Sequence, residues 1–133
     1  MFAHMAFVRD ILLGAEKRKG NLKSMCDALK INPLDLYHSD IHVSFEQAYL
    51  AWEVAIRQTG DQHLGLHLGE QTNPSILGLV GHLMQSSPNL EEAFKAVCSF
   101  SIVASDMFSY SISLTGDKGS LSYKACTPWA KVS

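Results

Sequence analysis

Phe108-Ser109-Tyr110-Ser111-Ile112-Ser113-Leu114 alternates large apolar residues with serine. A period of two puts Phe108, Tyr110, Ile112 and Leu114 on one face and the serines on the other, which is the pattern of a half-buried strand. Thr115-Gly116-Asp117-Lys118-Gly119 follows with turn chemistry, and Leu121, Tyr123 and Ala125 then alternate again, so a β-hairpin is predicted. Everything before Asp106 repeats with a helical period instead. The expected class is therefore α+β: a mainly helical N-terminal two-thirds followed by an antiparallel β-hairpin. Two strands alone are marginal, and only Thr127 to Ser133 remain, with Trp129 as their large anchor. The hairpin is thus expected to belong to a larger domain, unless the preceding helices cover it.

Upstream, Leu90, Ala93, Phe94, Val97 and Ile102 supply an apolar face behind Asn89, a capping residue, with Glu92 at the third helical position. Ile76 to Met84 is apolar nearly all round and is predicted to be a buried helix, opened by Asn73-Pro74. Gly78 and Gly81 inside it imply close packing. Ser44-Phe45-Glu46-Gln47 is a capping-box pattern, and Phe45, Ala48, Tyr49, Trp52, Ala55 and Ile56 continue it at helical spacing up to Gly60. Leu64 to Leu68 predicts one or two helical turns. Nearer the start, Val8, Ile11, Leu12 and Ala15 mark a helix stopped at Gly20, Leu22 to Leu29 a second, and Pro33 a short helical turn with Leu34 and Leu36.

The 133 residues fit one domain. Hydrophobic residues make up 47% and charged residues 18%, enough apolar material to offset ordering entropy and exclude a disordered chain. The net charge of −2 lacks the basic excess of a domain that grips nucleic acid by itself. No apolar run spans a bilayer, and no secretory signal opens the chain. Cys26, Cys98 and Cys126 are odd in number and far apart, which predicts free thiols and a cytoplasmic setting.

Several constellations carry chemistry on paper. His63 and His67 stand four apart, with Glu70 three further on, and on a helix they would share a face as zinc ligands do; the plainer reading is surface histidines without a metal. His38 and His42 have the same spacing in a loop. No cysteine has the setting of a nucleophile, there is no G-x-S-x-G elbow, and no Gly-rich turn follows a strand. An enzyme is not expected, nor a cofactor. Lys17, Arg18, Lys19, Lys23 and Lys30, with Leu22 to Leu29 and Pro33 to Tyr37, imitate a helix-turn-helix. Its second element offers Asp35, Tyr37, His38 and Asp40, without the arginine or lysine that DNA reading needs.

Aromatic residues flank the helix–hairpin junction: Tyr49, Trp52, Phe100, Phe108, Tyr110, Tyr123 and Trp129. Core packing is the default for most, but buried Tyr and Trp need partners for their polar tips. A cavity lined by them would suit a small organic ligand. The candidate ligand-binding residues are Tyr49, Trp52, His82 and Tyr110.

Thr59-Gly60-Asp61, Leu64-Gly65-Leu66-His67-Leu68-Gly69-Glu70 and Leu77-Gly78-Leu79-Val80-Gly81-His82-Leu83-Met84-Gln85-Ser86-Ser87-Pro88-Asn89-Leu90-Glu91-Glu92-Ala93 together resemble the N-terminal regulatory domain of AraC/XylS-family bacterial transcriptional regulators. The arabinose-binding-like subgroup, which includes ornithine-utilisation regulators, is the similar one. The resemblance implies that residues 1–133 are an effector-sensing and dimerisation domain whose partners are a small-molecule effector and a second copy of the chain. Promoter DNA would be bound only through a C-terminal module of two helix-turn-helix units, which these residues lack, so a longer regulator is expected. The motif's glycines and Ser-Ser-Pro read as architecture rather than ligand contacts. A stand-alone binding or interaction module, and a metal-dependent enzyme built on His63, His67 and Glu70, are the alternatives.

Overall fold

The computed structural model describes residues 2–38, 40–74, 78–103 and 106–126. The chain forms two compact units, Phe2–Thr72 and the part that starts at Asn73. Helices precede a C-terminal antiparallel hairpin, as the change of period predicts, and the α+β class holds. Among the described residues no helix is long and apolar enough to cross a membrane.

The first unit begins with a strand too short for any period to announce. β1 (Phe2–His4) pairs antiparallel with β2 (His42–Ser44), in the register Phe2↔Ser44, Ala3↔Val43, His4↔His42. Ala3 and Val43 are buried in the core, which leaves Phe2, His4 and His42 on the opposite face. β1 runs straight into α1 (Met5–Glu16), which has no side-chain cap. Its first N–H is satisfied instead by the ribbon: Met5 donates to the Ile41 carbonyl at 2.8 Å, covering one of the donors a helix start leaves open.

Val8, Ile11, Leu12 and Ala15 are buried along α1, as their spacing predicts. The helix stops at Glu16, earlier than the expected glycine stop, because Lys19 takes the left-handed conformation with φ 77°. Gly20 serves a different need. Its N–H donates to the Ala15 carbonyl at 2.9 Å, and a Cβ there would sit 2.9 Å from that same oxygen. Gly14, inside α1, faces Leu68 instead, and a Cβ there would overlap the Leu68 side chain.

α2 (Leu22–Leu29) buries Met25, Cys26 and Leu29, and Asn21 caps it by accepting the Ser24 N–H at 2.8 Å. Lys30 ends it in the left-handed conformation, φ 55°. Ile31 N–H then reaches the Cys26 carbonyl at 3.0 Å and Lys30 N–H the Asp27 carbonyl at 3.1 Å, a Schellman closure. The following Pro33–Tyr37 is a single 3-10 turn that buries Leu36 and exposes Leu34 and Tyr37. A recognition helix has no counterpart here, since the second element of the apparent helix-turn-helix is one acidic turn.

α3 (Phe45–Thr59) starts with the predicted capping box. Gln47 N–H donates to the Ser44 hydroxyl at 3.2 Å, and Ser44 N–H to the Gln47 side chain at 3.3 Å. Gly60, φ 68°, terminates it as expected. Its most buried positions are small: Ala48, Ala51, Val54 and Ala55. The larger Phe45, Tyr49, Trp52 and Ile56 are only half-buried, because the alanines lie against the neighbouring helices α1 and α2. Gln58 ties α3 to the start of α2, accepting from Asn21 N–H at 2.8 Å and donating to the Ser24 hydroxyl at 2.9 Å. α4 (Leu64–Gly69) contributes the fully buried Leu64.

In the second unit, α5 (Leu79–Gln85) packs on α6 (Leu90–Phe100), and α6 on β3 (Phe108–Thr115). The expected buried helix from Ile76 is shorter as described: Gly78, φ 56°, precedes its first turn, and Ile76 and Leu77 lie outside the described residues. Only Val80 and Gly81 are buried, while Leu79 and His82 are exposed. An all-round apolar sequence has no phase from which to read the inward side. α6 begins at Asn89, which accepts the Glu92 N–H at 2.9 Å. Of its expected apolar face, Ala93 is buried and Phe94 and Val97 are half-buried. Leu90 is exposed at the tip, and Ile102 lies beyond the helix in a 3-10 turn (Ser101–Val103), where the helical phase no longer holds.

β3 and β4 (Lys118–Ala125) pair over their full length, from Phe108↔Ala125 to Thr115↔Lys118. The loop is Gly116-Asp117. The positive φ of 62° at its first position is what a type II′ turn demands of glycine.

Candidate functional site

Of the four candidate residues, Tyr49 and Trp52 belong to the first unit and His82 and Tyr110 to the second. The capping box fixes the first turn of α3, and the helical repeat then places Tyr49 and Trp52, three apart, on neighbouring positions of one face. Trp52 is half-buried. Its ring meets Phe7 of α1 edge to face, centroids 6.5 Å apart, and its six-membered ring lies about the van der Waals distance, 3.6 Å, from where a Cβ on Gly65 would be. Tyr49 stacks with Phe45, centroids 6.1 Å apart and planes 21° from parallel. Phe7 escaped the sequence reading because it lies outside the buried stripe of α1.

In the second unit, Tyr110 and Tyr123 are directly opposite in the hairpin register. Phe108 joins them, its centroid 6.5 Å from Tyr110 and 6.1 Å from Tyr123. Tyr110 is half-buried, whereas Tyr123 is 72% exposed. Burial pushes the Tyr110 phenol above its ordinary pKa, and the nearby Tyr123 adds to the effect. Its hydroxyl therefore stays a neutral donor and acceptor at physiological pH. His82 is exposed on α5. Ser86 donates to its carbonyl at 2.9 Å and Ser87 to that of Leu83 at 2.6 Å, so the two serines close α5 just before Asn89 opens α6. Trp129 lies outside the described residues.

Of the histidines weighed as zinc ligands, His67 has another occupation. His67 Nδ1 lies 2.6 Å from Asp61 Oδ2, and the other Asp61 oxygen accepts the His63 N–H at 2.9 Å. The Thr59 hydroxyl donates to the Ala55 carbonyl at 2.8 Å and accepts the Asp61 N–H at 3.3 Å. Arg18 reaches the His67 carbonyl at 3.5 Å. The hydrogen bond from His67 holds the Asp61 carboxyl below its ordinary pKa, helped by the His63 amide and by the charge of Arg18. Thr59-Gly60-Asp61 and His67 thus form a brace between α3 and α4. Among the described residues no group of three or more His, Cys, Asp and Glu side chains is placed to hold a metal ion. Cys26 is buried, and burial raises its thiol pKa, the reverse of what an activated nucleophile needs.

A family model described as the arabinose-binding domain of AraC transcription regulator, N-term, matches residues 20–129. That span includes the Asp61–His67 brace, the Ser86–Asn89 junction and the whole hairpin. No curated protein matches the chain.

Proposed function

Because the chain belongs to the family of arabinose-binding N-terminal domains of AraC transcription regulators, we propose that it senses a small-molecule effector and reports it to a DNA-binding module outside these residues. The family match carries this reading, and the family is regulatory rather than catalytic. The aromatic rings are consistent with it. Within the first unit, Trp52 and Tyr49 offer flat apolar surface to a ligand; within the second, Tyr110 has a half-buried hydroxyl and His82 an exposed polar tip. In this reading a cytoplasmic homodimer has two conformations, and an effector that prefers one shifts their populations.

The test measures operator affinity of the intact regulator with and without a panel of pentoses and amino acids, alongside thermal melts of the domain. A true effector at a hundred times its Kd adds about 2.7 kcal/mol to stability and changes operator affinity. Trp52→Ala tests the first unit and Tyr110→Phe the second, and the variant in the unit that holds the ligand should weaken binding about tenfold, the size of one lost hydrogen bond or ring contact. Operator affinity that is identical with and without every compound would overturn the proposal.

A further inference from the structure

The β1–β2 ribbon brings together two histidines that the family reading does not use. Met5 N–H bonds the Ile41 carbonyl at 2.8 Å, and Met5 and Ile41 continue the ribbon's register by one step. In an antiparallel ladder, hydrogen-bonded and non-hydrogen-bonded pairs alternate, so His4↔His42 is a non-hydrogen-bonded pair, the kind whose side chains approach most closely. The two rings indeed have centroids 4.7 Å apart, with planes at 72°. Phe2, on the same face, stacks against His42 at 4.7 Å and 29° and limits the orientations open to that ring.

From this geometry we propose that His4 and His42 form a two-imidazole site for a divalent transition-metal ion of the Cu2+, Ni2+ or Zn2+ kind. Metal–nitrogen bonds of about 2.0–2.1 Å, with ring radii of about 1.2 Å, put two imidazoles on one ion about 4.5–5.2 Å apart between centroids, for angles from square to tetrahedral. The observed separation falls in that interval. Neutral imidazole selects these ions over Mg2+ and Ca2+, with Cu2+ bound most tightly. Two protein donors leave the remaining positions to water or to a small ligand. The bound ion clips the start of α1 to the start of α3, because β1 and β2 lead directly into those helices. The site is independent of the effector reading.

Titration of the metal-free protein with Cu2+ alone, followed by isothermal calorimetry, should show one site per chain. His4→Phe and His42→Phe keep an aromatic ring in the stack and remove one donor each. Each should weaken binding at least about tenfold, since even outer-shell partners of a metal cost 10–100-fold. Unchanged affinity in both variants, or equally tight binding in the doubly substituted chain, which retains His38, His63, His67 and His82, would overturn the site. A measurement on the unaltered protein guards against a folding defect in the variants. Paramagnetic Cu2+ should broaden the amide signals of residues 2–5 and 41–44 first, and broadening centred elsewhere rejects the proposal.

Discussion

His67 Nδ1 and Asp61 Oδ2 lie 2.6 Å apart across the corner between α3 and α4. The contact turns a histidine that stands at metal-ligand spacing in the sequence into a structural brace. Asp61 accepts from both the His67 ring and the His63 amide, and Arg18 approaches from the end of α1. The brace places Leu64 in the core and Leu68 against Gly14.

The brace makes stability depend on pH with a definite sign. The folded pKa of Asp61 lies below its ordinary value. Its contribution is complete above the unfolded carboxylate value of about 3.9 and is lost as pH falls through the folded pKa. Melting curves of the natural chain and of Asp61→Asn should therefore be separated by a Tm gap that closes as acid neutralises the carboxylate. A gap that persists unchanged into strong acid contradicts the brace.

Gly14 allows α4 to approach α1. Introducing Gly14→Val should destabilise the fold by about 1–3 kcal/mol, the usual effect of overpacking. The same substitution in a Leu68→Ala background should be milder by at least about 0.5 kcal/mol, the coupling expected of residues in contact. Denaturant titration of the four chains measures that coupling, and strict additivity would show that the two residues do not meet.

Lys30 carries a side chain where the backbone favours glycine. A left-handed residue other than glycine costs about 1–2 kcal/mol. After the greater freedom of glycine in the unfolded chain is subtracted, Lys30→Gly should gain about 0.5–1 kcal/mol. Lys30→Ala removes the same charge but keeps the strain, so it should bring no gain. Equal Tm values for the two variants would assign the effect to charge rather than to conformation.

Elements governed by close neighbours along the chain are legible from the residues alone. Ser44 and Gln47 announce α3 because each satisfies the other's backbone within one turn, and Asn89 announces α6 by accepting the Glu92 N–H. The serine alternation from Ser109 to Ser113 likewise gives the hairpin, since its two faces are written residue by residue. Whatever depends on distant partners is hidden from such a reading. Phe2–His4 is three residues long and becomes a strand only against His42–Ser44. Gly14 looks like an ordinary helical glycine until Leu68 lies over it. The candidate residues are chosen by type alone, and the ring pair Phe7–Trp52 follows from how α1 and α3 meet, whereas Phe45 and Tyr49 stand four apart on α3 itself. The role of His67 requires Asp61 to come within reach through the turn at Gly60.

The alanines on the inner face of α3 make tolerance to substitution one-sided. Ala48, Ala51 and Ala55 are fully buried and already about as small as a helix-forming residue can be, so little is left there to trim. Apart from glycine, which weakens a helix, variation along this seam can only enlarge a side chain, and every enlargement overpacks a position that has no exposed surface. Variability among natural relatives should therefore fall to a minimum at three positions that carry no chemistry at all.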